Sequence, residues 1–255
     1  MPVVIGVAQA GKQAFLKERS EAIAEMLEGG AAVCLPDVRG VGETACGNGR
    51  RFRSQSTDIS QAELMLGQTL VGSRLRDLRA VVEHLRSRPG LDAGRIGLWG
   101  DSFTPPNAPS RNLAVPLDAA DDIPHAEPLG GLLALLGALY EDNVRGVVVR
   151  GGLVGYDSLL ASPFCYVPHD ALVPGAIAMG DVVEVLAAVA PRPVRWEGPV
   201  DGLNRAVAAD ALSAVFKPAR AAYDSLRAQD HLQVVARDGQ SGYAAAWLLA
   251  AIRRN

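Results

Sequence analysis

The chain has only three cysteines, Cys34, Cys46 and Cys165, too few and too scattered for a disulfide framework. It contains no CxxC motif and no Cys/His pair at zinc spacing, so neither a metal nor another cofactor is expected. No uninterrupted apolar run approaches the ~20 residues a membrane helix needs, and no membrane partner is expected. Charge of one sign is also scarce: Lys and Arg total 25 against 28 Asp and Glu, a net charge of -3 that gives no general attraction to nucleic acid. The opening stretch, Met1 to Val7, lacks the basic region of a signal peptide. It reads instead as a buried strand, which suits a cytoplasmic protein or a domain excised from a larger one. Histidine is the scarcest chemical resource: His84, His125, His169 and His231 must cover any acid–base chemistry.

What is present is a 255-residue chain, 49% hydrophobic, long enough to bury a sizeable core as one domain over residues 1–255. Short apolar runs alternate with helical patterns. Strands are expected at Pro2 to Val7, Ala31 to Pro36, Arg95 to Gly100, Val144 to Val149, Val194 to Glu197 and Leu232 to Ala236. Helices are expected at Phe15 to Leu27, from Asp58 or Ser60 to Arg88, and at Leu129 to Tyr140, Asp181 to Ala190, Ala208 to Ala228 and Ala244 to Arg253. This alternation predicts an α/β fold, a doubly wound, mostly parallel sheet of about six strands with helices on both faces. The runs are apolar rather than alternating, as in a sheet covered on both sides.

Ligands of such sheets bind outside the carboxyl ends of the strands. There the segment Gly94-Arg95-Ile96-Gly97-Leu98-Trp99-Gly100-Asp101-Ser102-Phe103-Thr104 runs a buried strand into a small–x–Ser–x–small turn. That spacing suits a nucleophile elbow, with Ser102 lifted above the sheet and the Phe103 amide placed to hold an oxyanion. Thr104 replaces the usual final glycine and Pro105-Pro106 follow, so the helix that normally starts here must be delayed or broken.

These residues, with PDVRGVGET (36–44), APRPVRWEGPVDG (190–202) and GYAAAWLLAAI (242–252), resemble the acetyl xylan esterase-like serine esterases of the α/β-hydrolase superfamily. The resemblance implies a minimal hydrolase core in which Val3 to Val7 is the third strand and the first strands are lacking. It also implies a second oxyanion amide in Ala8-Gln9-Ala10-Gly11, at Gln9 or its neighbour Ala10. The triad acid implied is Asp201, at a carboxyl strand end beside Gly202; a turn-forming Asp-Gly pair is the alternative. An exposed edge left by the lacking strands makes a homodimer possible.

The base of that family lies in the loop after the last strand, which here reads Ala236-Arg237-Asp238-Gly239-Gln240-Ser241-Gly242-Tyr243 and holds no histidine. His231 precedes the last strand and His84 lies near the end of a helix leading into the serine strand, both at the wrong edge. His125 and His169 follow carboxyl strand ends. His169 is the preferred base, able to bridge Ser102 and Asp201 from another loop; His125 is the alternative. A plainer possibility is a loop histidine bonded to Asp170. The long stretches 103–128 and 154–178 are expected to wall the active site. Arg50, Arg51 and Arg53 read as a solvated loop tip, and Asp118, Asp121, Asp122 and Glu127 as a solvent-exposed acidic loop.

Two functional readings follow. One is a carboxylic-ester hydrolase for short acyl or acetyl esters, acting through an acyl-enzyme on Ser102, with a small-molecule ester as substrate. The other is a non-catalytic binding or scaffold domain that has lost the usual histidine.

Overall fold

Every residue of β1 (Val3–Ala8) is buried, and β1 lies inside the sheet rather than at its edge. The computed structural model describes residues 1–45, 47, 55–115, 123–236 and 241–253. The basic cluster Arg50, Arg51 and Arg53, the acidic residues Asp118, Asp121 and Asp122, and loop positions 237–240 lie outside the described residues.

After β1 come α1 (Lys12–Glu18), α2 (Ser20–Glu28), β2 (Ala32–Cys34), α3 (Gln55–Met65), α4 (Leu70–Arg86) and β3 (Ile96–Asp101). Then follow α5 (Leu129–Tyr140), β4 (Val144–Arg150), α6 (Ala176–Met179), α7 (Val182–Val189) and β5 (Val194–Glu197). The chain continues with α8 (Leu212–Val215), α9 (Lys217–Ser225), β6 (Leu232–Val235) and α10 (Ser241–Arg253). The strands form one six-stranded sheet in the order β2-β1-β3-β4-β5-β6, each pair parallel.

Two apolar cores flank it. On one face Leu78 and Val82 of α4, Leu132 to Leu135 of α5, Leu186 of α7 and Tyr223 of α9 pack on Ile5, Leu98, Val147 and Trp196. On the other, Phe15 of α1, Met26 of α2 and Leu248 and Ile252 of α10 pack on Val4, Trp99 and Val148. The sheet is therefore doubly wound, as its continuous apolar strands predict. The central helix α5 is apolar around most of its circumference and almost wholly buried.

Three expected helices are each two. The first breaks at Arg19, whose backbone leaves helical geometry (φ -128°, ψ 24°) and whose guanidinium reaches Asp101 on β3. The second breaks beyond Met65, where Gly67 takes a positive φ of 72° and Thr69 Oγ1 caps α4 by accepting from Gly72 N. The third begins at Leu212 rather than Ala208 and breaks at Phe216, with Pro218 in the first turn of α9. No single helix among the described residues is long and apolar enough to cross a membrane.

Candidate functional site

β3 ends at Asp101, and the residues on either side of Ser102 are both anchored. The buried Asp101 carboxylate takes two hydrogen bonds from Arg19, at 2.8 and 3.0 Å, and one from Trp99 Nε1 at 2.9 Å. The Phe103 ring meets Phe15 edge-on at 5.4 Å, and Arg19 Cζ lies 4.9 Å from its centroid. Between them Ser102, only 8% exposed, sits over the end of β4, where a Cβ on Gly151 would come within 2.8 Å of Ser102 Cβ.

No helix starts at Ser102. The chain leaves at Phe103 and rejoins the sheet edge at Glu127, immediately before α5, so the helix is delayed as the proline pair requires. Its start is wedged against the strand end: a Cβ on Gly100 would lie 2.1 Å from Gly130 O, and one on Gly130 would lie 2.6 Å from the carbonyls of Asp101 and Val7. Only glycine fits at either position.

Where the excursion closes, the Phe103 amide donates to Glu127 Oε2 at 2.7 Å. The amide expected to stabilise an oxyanion thus holds a carboxylate. Glu127 belongs to the acidic stretch expected to be a solvent-exposed loop; it is half-buried and turned to the serine turn instead. The excursion is laced to its neighbours. Buried Asn107 donates through Nδ2 to Pro124 O and Leu203 O, both at 2.9 Å. Asn204 donates to Pro105 O and Pro124 O, and Tyr166 Oη bonds both backbone groups of Ala114.

His169 begins a short 3-10 turn (His169–Ala171) packed on α3 and α4. Two buried ties fix that turn. Asp170 pairs with Arg74 at 2.6 Å, each side chain only 1% exposed, and the Tyr156 hydroxyl donates to Ala171 O at 2.6 Å. Burial, reinforced by the nearby Asp181 charge, pushes the Tyr156 phenol well above its ordinary pKa, so it stays a donor. His169 is therefore bonded not to Asp170 but to Ser60: its Nδ1 lies 3.1 Å from Ser60 Oγ, which donates to His169 O at 3.4 Å. The ring is thus held through Nδ1, and Nε2 makes no contact with Ser60.

One cavity of about 760 Å³ is lined by Gln9, Phe103, His125, Glu127 and His169. The structure thus places the expected oxyanion residues and both candidate bases on one cavity, whose lining includes neither Ser102 nor Asp201. Among the described residues, no hydrogen bond joins a histidine to Ser102. Gln9 borders this cavity, while its Oε1 is itself buried and has no hydrogen-bond partner among the described residues. His125 is exposed and meets Tyr166 edge-on at 5.4 Å.

Asp201 lies elsewhere. It lines a separate cavity of about 880 Å³, and its Oδ1 accepts from the amides of Leu203 and Arg205 at 2.9 and 2.8 Å. This closes the Asp-Gly turn that presents Asn204 to the excursion. The structure does not bring Asp201 into contact with His169. Glu197, at the end of β5, is held between Arg150 (3.1 Å) and Arg195 (2.5 Å) as a buried ion cluster. His231 immediately precedes β6 and His84 lies in the last turn of α4, which leads into the start of β3, so both fall at the end of the sheet where the strands begin. Among the described residues no group of three or more His, Cys, Asp or Glu is arranged to hold a metal.

The sequence reading gave Glu127 to an exposed acidic loop and Ser60 to a helix start, and assigned neither to the site. The one available signal for Glu127 was its position just before the buried Gly130-Gly131 helix start.

No protein-family model matches the chain, and no curated protein matches it. Solved structures do. One assigned as an acetyl xylan esterase from Bacteroides fragilis superposes with a TM-score of 0.64 at 14% identity, covering 94% of this chain and 59% of that one. The chain therefore spans less than two thirds of that protein's length. A CE15 glucuronoyl esterase from Caldicellulosiruptor kristjansonii gives 0.54 at 15% identity, over 98% of this chain and 67% of the other. The methylesterase BT1017 gives 0.55 at 18% identity, over 98% and 47%. At such identities the likeness is one of architecture, and the architecture shared by these esterases is plain: this chain has the α/β-hydrolase fold.

Proposed function

We propose that the chain is a carboxylic-ester hydrolase for small acyl groups, acting at Ser102. The observation that carries this reading is the Phe103 amide, directly after Ser102, holding a carboxylate oxygen at 2.7 Å. An amide that binds an anionic oxygen beside a serine is what acyl transfer needs, because the tetrahedral intermediate puts its charge there. In this reading the ester carbonyl oxygen takes the position Glu127 holds. Ser102 Oγ attacks the carbonyl carbon and its proton passes to His169 Nε2, which returns it to the departing alcohol. Water then hydrolyses the acyl-enzyme by the same route. Ser60, rather than Asp201, is the side chain that holds the imidazole ring. Acetyl esters of carbohydrates are the substrate class that the resemblance to acetyl xylan esterases suggests.

A non-catalytic binding domain is the second reading. It is favoured by the absence, among the described residues, of a hydrogen bond between Ser102 and any histidine. Hydrolysis of p-nitrophenyl acetate, measured beside the Ser102→Ala variant, separates the two. Activity lost in the variant supports the hydrolase; equal rates support the binding domain.

A further inference from the structure

The geometry points to Glu127 as a built-in ligand: the site over the Phe103 amide takes small carboxylates, and Glu127 occupies it in their place. An ionised carboxylate on an amide at 2.7 Å is a short, charge-assisted hydrogen bond. The residues flanking Ser102 are also fixed independently of Glu127, by Arg19, Trp99 and Phe15, so the amide keeps its place when the carboxylate is replaced. Glu127 lines the cavity together with Phe103 and Gln9.

A tethered carboxylate competes at an effective concentration in roughly the millimolar range, so an external one binds weakly until Glu127 is removed. This inference shares the Phe103 amide with the hydrolase reading but needs no turnover.

The test uses the full chain, labelled with nitrogen-15, as wild type, Glu127→Ala and Glu127→Gln. Sodium acetate is titrated against sodium chloride at matched ionic strength while the Phe103 amide resonance is followed. In Glu127→Ala the resonance should move upfield, then return saturably with acetate, at least about tenfold tighter than in wild type. Glu127→Gln keeps the side-chain length without the charge and should respond to acetate in the same sense. If Glu127→Ala does not fold, that response decides the matter. No saturable movement, or equal affinity in wild type and variant, would overturn the inference. Acetate binding without p-nitrophenyl acetate turnover would remove the hydrolase reading and leave this one standing; turnover without binding would do the reverse.

Discussion

The amide of Phe103 and the carboxylate of Glu127, 24 residues apart in sequence, are joined by a 2.7 Å hydrogen bond that closes the excursion at the serine turn. In the hydrolase reading, Glu127 with its Oε2 on that amide holds the position the substrate carbonyl must take. If Ser102 is the nucleophile, Glu127→Ala should raise kcat/KM for p-nitrophenyl acetate by about tenfold, with Ser102→Ala abolishing the gain. A loss of activity in Glu127→Ala would instead show that the carboxylate takes part in catalysis.

His169 and Ser60 form the second testable pair. His169→Ala should reduce hydrolysis nearly as far as Ser102→Ala, by at least about a hundredfold. Ser60→Ala frees the imidazole ring and should cost about tenfold. His125→Ala should leave kcat near wild type; a collapse there, with His169→Ala active, would transfer the role of base.

The Arg74–Asp170 pair is a stability prediction. Both side chains are buried, so Arg74→Met alone strands the Asp170 charge and should cost about 3–5 kcal/mol in chemical denaturation. The double variant Arg74→Met/Asp170→Leu should recover much of that loss, because neither charge then remains in the interior. A single variant as stable as wild type would show that the pair contributes nothing.

Glu141 gives the pH dependence. Burial pushes its carboxyl up, but hydrogen bonds from Arg79 and Arg86 outweigh this and hold it below its ordinary value of 4.5. A lowered folded pKa means that its stabilisation is complete above about pH 4.5 and fades as pH falls through the folded value. Both arginines are substantially exposed, so the contribution is about 1 kcal/mol. Melting curves should separate wild type from Glu141→Gln at neutral pH, and the gap should close in acid. A gap that widens in acid would refute the assignment.

Gly100 tests the wedge between strand and helix. Alanine there would place Cβ 2.1 Å from Gly130 O, a backbone atom that cannot turn aside. Gly100→Ala should yield little soluble protein. Melting within about 2 °C of wild type would mean that α5 can retreat at little cost.

The sheet was legible because each strand is a local apolar run, and Ile96–Asp101 announces its own burial. The helix breaks were less so. Arg19 leaves the helix where it reaches Asp101, a partner 82 residues away. Arg74 sits in an amphipathic pattern like any surface arginine, yet it is sealed against Asp170, 96 residues on. Ser102 and the cavity-facing histidines could be placed by strand polarity alone. Glu127 could not, because its meaning depends on where the excursion returns. Asp201 was legible in two ways, and its side chain serves the turn that its neighbour Gly202 signals.

A chain segment that departs and returns at the end of one strand is a loop fastened at its base. Its contour length is uncoupled from strand spacing, and each doubling adds only about 0.6 kcal/mol of closure entropy. The Phe103–Glu127 junction is thus a socket. Covers of different length and sequence could be plugged in above the same serine, changing what is admitted without moving a single strand.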